Sequence, residues 1–183
     1  MAGTLKEHDF EFMDVALEEA RIAMAEDEVP VGAAIVYDGE VIAADHNRVR
    51  ASCSALAHGE MLVLAAAAKK LGDWRLNGCT LYATKELCPM CAGACVMSRV
   101  SRVVFAVGDC AMGCLGGGPF DFSSVPMFNH RFPAVGGVRS DECLVLLREF
   151  FATKRIPRKD CSEGITSDQV KMLHKRLDKS ANI

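Results

Sequence analysis

The sequence has no apolar run long enough to cross a bilayer, and residues 1–10 lack the apolar core of a secretory signal. We therefore expect a cytoplasmic protein without a membrane segment. Its nine cysteines are an odd number without a secretory context, which disfavours a disulfide framework and favours metal binding or buried thiols. Internal repeats and low-complexity segments are also lacking, so the 183 residues, half of them hydrophobic, predict one globular domain with an appendage.

Net charge is small as well, at −3, and by itself it argues against a nucleic-acid partner. The distribution is uneven, because residues 1–30 hold 9 acidic and 2 basic side chains, whereas residues 148–183 hold 5 and 9. Four cations fall within six residues: Lys154, Arg155, Arg158 and Lys159. Such an end fits a phosphate backbone, although from charge alone a solvated tail is the simpler interpretation.

Cys88 and Cys91 stand three residues apart, with Pro89 directly after the first. This order predicts a helix with Cys88 as N-cap and Pro89 as its first residue, so that both sulfurs lie on one face. Unpaired amides and the helix dipole at that end favour thiolate, the form that binds metal. The pair predicts a zinc site.

A structural zinc site needs two more ligands, and neither a second C-x-x-C nor an H-x-x-x-H pair is evident. Upstream, His58-Gly59-Glu60 opens an apolar run instead. One histidine and two cysteines leave a fourth position for water, which is typical of catalytic zinc, with Glu60 as the base. These residues resemble the signature of zinc nucleobase deaminases, H-x-E followed by P-C-x-x-C. Cys95 raises an iron-sulfur alternative, but a packed core thiol is the favoured interpretation.

Periodicity predicts alternating helices and strands. Asp9 is the predicted N-cap of a first helix, Asp38-Gly39 the turn of a hairpin, and residues 108–122, with five glycines, a functional loop. The predicted helices are 9–26, 58–71, 89–98 and 141–155, and the predicted strands are 29–37, 40–44, 79–84, 102–107 and 136–139. This order predicts an α/β protein whose partly parallel sheet is covered by helices.

The chain resembles the bacterial tRNA adenosine deaminases of the cytidine deaminase superfamily, enzymes that convert wobble adenosine to inosine. The likeness covers residues 9–158 and rests on these stretches: VPVGAAIV, His46-Asn47-Arg48, His58-Gly59-Glu60, LNGCTLYAT, CAGACVMSRVSRVVFAVGD, Asn129-His130-Arg131 and DECLVLLREFF. Several of them, notably CAGA with SRV-x-RVVF, resemble the tRNA enzymes more than deaminases in general.

The resemblance implies a three-layer α/β/α fold with a mixed sheet of about five strands and helices on both faces. It implies a deaminase domain over residues 1–160, followed by a C-terminal extension over 161–183 that is a short helix or disordered. It further implies one zinc per chain, a tRNA anticodon stem-loop as partner and a homodimer. The implied ligands are His58, Cys88 and Cys91, with Glu60 catalytic, and the implied substrate contacts are Asn47, Asp109, Phe151, Lys154 and Arg155.

Asn47 is implied to contact the purine or its ribose, and Asp109 a ribose hydroxyl, which would distinguish RNA from DNA. Of Phe150 and Phe151, one is implied to face the core and the other to stack on a splayed base. His46 and His130 are interpreted as residues that orient other groups or lie at the surface.

Three departures from the family pattern concern the loops around the base pocket. Leu87 stands where the family has proline before the first zinc cysteine, Gly59 replaces alanine, and Ser54-Ala55-Leu56 replaces Asp-Pro-Thr. None removes a ligand, so they bear on substrate range. Two alternatives stay open at this point: a deaminase of free guanine, cytosine or a nucleoside on the same fold, and a non-catalytic RNA-binding subunit with structural zinc.

Overall fold

The computed structural model describes residues 3–123 and 125–154. The chain divides into two units, Met1–Phe151 and Ala152–Ile183, and the fold below concerns the first. Four helices and five strands alternate along the described chain: α1 (Asp9–Ala25), β1 (Gly32–Tyr37), β2 (Glu40–His46), α2 (Gly59–Leu71), β3 (Thr80–Lys85), α3 (Pro89–Met97), β4 (Arg102–Val107), β5 (Ala134–Gly136) and α4 (Ser140–Lys154).

The strands form one mixed sheet in the order β2-β1-β3-β4-β5. The β1 strand runs antiparallel to both β2 and β3, whereas β3, β4 and β5 are parallel. Parallel neighbours require a crossover, and α3 supplies it between β3 and β4. The two motifs singled out in the sequence, His58-Gly59-Glu60 and Cys88-Pro89-Met90-Cys91, lie at the starts of α2 and α3.

Two apolar clusters, one on each face of the sheet, make the molecule three-layered. Ile35, Leu81 and Val103 pack with residues of α2 and α3. On the opposite face, Tyr82 and Val104 pack with residues of α1 and α4. The predicted fold class, helices on both faces of a five-stranded mixed sheet, is confirmed.

Asp9 was predicted to be the N-cap of α1. In the structure His8 is the N-cap, and Asp9 is the first residue of the helix. The Asp9 carboxylate is fully buried and accepts hydrogen bonds from Arg102 at 2.6 and 2.7 Å and from the Tyr82 hydroxyl at 2.9 Å. Burial raises the pKa of Asp9, but its bonds to Arg102, Lys6 and Tyr82 outweigh that effect and hold it below the ordinary value. The N-cap prediction for Asp9 was wrong because a short acidic side chain suits either a helix cap or an ion pair. Here the Asp9 carboxylate is paired with Arg102, which is distant in sequence.

The fifth strand lies two to three residues before its predicted place at 136–139. Ala134, Val135 and Gly136 pair in parallel with residues 103–105. The backbone then leaves the extended region, with φ of 93° at Gly137 and 57° at Arg139, and such angles end a strand. No helix among the described residues is long and apolar enough to cross a membrane.

Candidate active site

The N-termini of α2 and α3 lie next to each other. His58 is the N-cap of α2 and Cys88 the N-cap of α3, both with extended backbone, and Pro89 occupies the first turn of α3 as predicted. Neither cap side chain bonds the amides of its own helix. The imidazole and the thiol instead face each other, with Nδ1 of His58 3.7 Å from Sγ of Cys88.

Cys91 completes a triangle of ligand atoms with these two residues. Its Sγ lies 3.6 Å from Nδ1 of His58 and 3.6 Å from Sγ of Cys88. A tetrahedral zinc with ordinary bond lengths separates two sulfurs by about 3.8 Å and a sulfur from a nitrogen by about 3.6 Å. The triangle therefore fits a small tetrahedral cation. Cys95 is fully buried and is not part of this group.

The protonation of the triangle is set by its own contacts. The hydrogen bond between the two sulfurs lowers the pKa of Cys88 to about 4 and raises that of Cys91. The bond to Cys88 also raises the pKa of His58 above its ordinary value. The site thus favours a thiolate, the species that a metal requires, at Cys88.

Glu60 follows His58 by two residues and is only 3 % exposed. Burial raises the pKa of its carboxyl above the ordinary value. None of the described residues hydrogen-bonds its Oε2, although that atom is buried. A buried carboxylate oxygen without a partner is costly unless a ligand or proton meets it. Carboxyl groups with a raised pKa inside a cavity are common at active sites, so Glu60 is a candidate acid-base group.

A cavity of about 350 Å³ opens over the triangle. Its walls come from the segment before β1, the loop after β2, the starts of α2 and α3, the end of β3, and α4. The lining residues are Glu28, Val29, Val31, Asn47, Val49, Arg50, His58, Glu60, Lys85, Glu86, Cys88 and Phe151.

Asn47 and Phe151, two of the predicted substrate contacts, line this cavity. The side-chain oxygen of Asn47 accepts a bond from the Gly59 amide at 3.0 Å, which leaves the side-chain amide nitrogen as the group that can meet a base. Phe150 is buried whereas Phe151 is 47 % exposed, and their rings meet edge to face. This placement agrees with one core and one exposed phenylalanine.

Asp109 lies beside the cavity, paired with Lys85. Its Oδ1 also accepts bonds from the amides of Ala111 at 3.0 Å and Met112 at 3.2 Å. Burial raises the pKa of Asp109, but the contacts with Lys85 and these amides outweigh it and lower the pKa below the ordinary value. Both carboxylate oxygens of Asp109 thus accept hydrogen bonds within the protein. The predicted contact between Asp109 and a ribose hydroxyl stays a prediction.

Lys154 and Arg155 complete the predicted set. Lys154 is exposed and is the last residue of α4. Arg155, together with Arg158, Lys159 and the predicted extension over 161–183, lies outside the described residues. His46 and His130, predicted to be orienting or surface residues, have partners of their own. His46 is buried between the carboxylates of Glu19 and Glu26, and Nε2 of His130 bonds the Val100 carbonyl at 2.7 Å.

Glu86 is a residue that sequence reasoning missed. It is buried, and its carboxylate accepts backbone N–H bonds from Asp109 at 2.8 Å, Leu115 at 2.8 Å and Gly117 at 2.9 Å. The glycine-rich segment, residues 108–118, is wrapped around this one side chain. A charged residue between a strand and the cysteine pair, followed by a glycine-rich stretch, was the available signal.

Glu28 likewise binds backbone amides of a loop, in this case the loop after β2. It is 1 % exposed and accepts the amides of Arg50 and Ala51, each at 2.8 Å. Two buried carboxylates therefore fix the two loops that flank the candidate active site.

Comparison with known proteins gives the chain its family. The model of the MafB19-like deaminases matches residues 7–151. The chain belongs to this deaminase family. A tRNA-specific adenosine deaminase of Bacillus subtilis is 45% identical over 156 residues, covering 83% of this chain and 96% of the relative. One of Agrobacterium fabrum is 41% identical over 145 residues, covering 79% and 95%.

Solved structures show the same likeness. A structure described as a tRNA:A34 deaminase that edits A to I at the wobble position is 39% identical, with a TM-score of 0.71, over 75% of this chain and 99% of that one. The guanine deaminase of Nitrosomonas europaea is 28% identical, with a TM-score of 0.67, over 83% and 86%. The resemblance to tRNA adenosine deaminases and the prediction of a hydrolytic deaminase are confirmed.

Proposed function

We propose that this deaminase converts adenosine to inosine at the wobble position of a tRNA anticodon, with one zinc per chain held by His58, Cys88 and Cys91. Relatives at 41% and 45% identity bear the name tRNA-specific adenosine deaminase, which supports the substrate. The observation that carries the chemistry is the buried Oε2 of Glu60, unpartnered among the described residues, two positions from a ligand triangle of zinc dimensions.

The residues of the chain supply binding and proton transfer. Zinc, when bound, supplies Lewis acidity that makes water acidic enough to give hydroxide near neutral pH. Glu60 takes the proton of the attacking water, passes it to the adenine ring nitrogen, and assists the departure of ammonia. Its raised pKa suits both directions of transfer, because a carboxyl with a pKa closer to neutral can accept and return a proton.

Substrate contacts follow from the lining of the cavity. Asn47 orients the base through its side-chain amide, and Phe151 stacks on a neighbouring base. An anticodon nucleotide is already unpaired, so its entry into the cavity costs little. We further propose contacts of Asp109 with a ribose and of Lys154 and Arg155 with phosphates, a homodimer, and domain limits at 1–160 and 161–183.

The test is inosine formation on an anticodon stem-loop by the zinc-loaded protein and by Glu60→Gln, which keeps the size of the side chain. We expect Glu60→Gln to retain zinc and thermal stability and to lose about 1,000- to 10,000-fold in turnover. Glu40→Gln, on the exposed hairpin, is the matched control and should act like the parent. Turnover of Glu60→Gln within about tenfold of the parent, far short of that acid-base range, would make the carboxylate structural.

The second candidate is deamination of free guanine. The fold match to the guanine deaminase of Nitrosomonas europaea favours it, and that protein is 28% identical to this chain. Parallel assays on the stem-loop, free adenosine and free guanine separate the two. Release of ammonia from guanine without inosine formation in RNA would replace the tRNA proposal. Activity on none of the three substrates would favour an RNA-binding subunit with structural zinc.

A further inference from the structure

Lys85 ends β3 at the wall of the cavity, and no step proposed above uses it. Its side chain is 31% exposed and lines the same cavity as His58, Glu60, Cys88 and Phe151. Across the sheet it is paired with Val107, two residues before Asp109, which places its ammonium against the Asp109 carboxylate. A lysine at the wall of a cavity rich in carboxylates is poised to meet a ligand or to serve as an internal counterion.

The charged side chains around the cavity are mostly acidic, which makes the position of each cation important for an anionic ligand. Glu28, Glu60 and Glu86 are buried in its lining, and Asp109 stands beside it. The cationic side chains among the lining residues are Lys85 and Arg50. Arg50 is turned to Asp27, bonding its carboxylate at 2.5 Å and its carbonyl at 2.9 Å. A polyanion approaching this mouth meets mostly negative charge, so the Lys85 ammonium is the group best placed to offset it.

Hydrogen-bonding capacity in the Lys85–Asp109 pair is unequal. One oxygen of Asp109 accepts a hydrogen bond from Lys85, and the other accepts from the amides of Ala111 and Met112. An ammonium has three N–H donors, and the contact with Asp109 occupies one of them. The pair therefore offers an ammonium whose position is fixed by the Asp109 carboxylate and whose other N–H groups can donate to a ligand.

We propose that Lys85 is a specificity-determining residue that binds a phosphate next to the nucleoside in the cavity, with Asp109 holding its ammonium in place. This rests on the proposed RNA substrate and adds a requirement for a charged linkage adjoining the reacting nucleoside. A free base has no such phosphate, so Lys85 favours a nucleotide within a strand over a free base.

The experiment pairs protein variants with RNA variants. Anticodon stem-loops carry a single neutral methylphosphonate linkage, either 5′ or 3′ of the target adenosine, and kcat/KM for inosine formation is measured with parent protein and Lys85→Met. On unmodified RNA we expect Lys85→Met to lose about tenfold, the value of one hydrogen bond to a charged group. At one of the two linkages the neutral RNA should cost the parent a similar factor and cost Lys85→Met nothing further.

Three matched variants make the result specific. Lys70→Met, on the exposed end of α2, should discriminate between the linkages as the parent does. Lys85→Arg retains the charge and should retain the discrimination. Asp109→Asn removes the charge that holds the ammonium in place, so it should reduce the penalty for the neutral linkage and weaken overall kcat/KM. Melting temperature and zinc content are read on the same samples.

The contrary outcomes are distinct. If Lys85→Met loses the same factor on charged and neutral linkages, Lys85 does not bind phosphate and the proposal is overturned. Should Lys85→Met fail to fold, Lys85→Arg decides, because loss of linkage discrimination in that variant also overturns it. Parent protein that forms no inosine on any stem-loop would sink the proposed function itself.

Discussion

The ligand triangle and the glycine-rich segment 108–118 flank the same cavity but are built in different ways. In the triangle, two helix starts present side chains at fixed local spacing. The glycine-rich segment has little regular structure, and Glu86, more than twenty residues upstream, holds it through three backbone amides. In the triangle the two cysteines are set by local helix spacing, and His58 joins them from 30 residues upstream. The glycine-rich segment depends instead on one carboxylate that accepts several backbone amides, so we expect the two regions to fail differently when mutated.

The largest expected effect comes from Cys91→Ala. Removing one of three ligands should abolish zinc binding and reduce inosine formation to background. The free energy of unfolding should also fall, because metal binding is coupled to folding. Metal content and thermal unfolding measure both. Cys95→Ala is the control, one turn along α3, and should keep zinc at a cost of about 1–3 kcal/mol. Full zinc content in Cys91→Ala would show that the triangle is not the metal site.

Glu86→Gln should weaken the glycine-rich segment and leave the triangle intact. A glutamine presents a donor where the carboxylate accepted N–H bonds, so we expect a loss of about 2–4 kcal/mol in unfolding free energy. Hydrogen exchange of the amides of Asp109, Leu115 and Gly117 should accelerate, while zinc content stays at the parent level. Glu40→Gln serves as the exposed control. If zinc is lost together with amide protection, the two regions are one cooperative unit and the contrast drawn above fails.

Glycine-to-alanine substitutions should give opposite signs in the two regions. A Cβ at Gly113 would lie 2.2 Å from Oε2 of Glu86 and 2.4 Å from the Asp109 carbonyl, so Gly113→Ala should cost about 1–3 kcal/mol. Gly93, in the middle of α3, has nothing within 4 Å of an added Cβ, so Gly93→Ala should stabilise by about 0.5–1 kcal/mol. Denaturant unfolding measures both. Equal effects of the two substitutions would contradict the close packing inferred around Glu86.

Short-range chemistry is what the sequence by itself determined. The C-P-x-C order predicted the N-cap at Cys88 and the helix that follows it, and Asp38-Gly39 predicted the hairpin between β1 and β2. Hydrophobic patterns predicted the succession of helices and strands along the described residues. Each of these depends on residues within a few positions of one another, where local backbone preferences act directly. The resemblance added the family, which comparison confirmed.

Only the tertiary structure decided where the polar side chains act. Asp9 has the chemistry of an N-cap, yet it pairs with Arg102, 93 residues away. In the sequence Glu86, Glu28 and Lys85 look like ordinary charged residues. The fold buries the two glutamates against the backbone amides of two loops and places Lys85 at the wall of the cavity. A carboxylate or ammonium has many possible partners of similar strength, and the partner is chosen by burial, which depends on long-range packing of the whole chain.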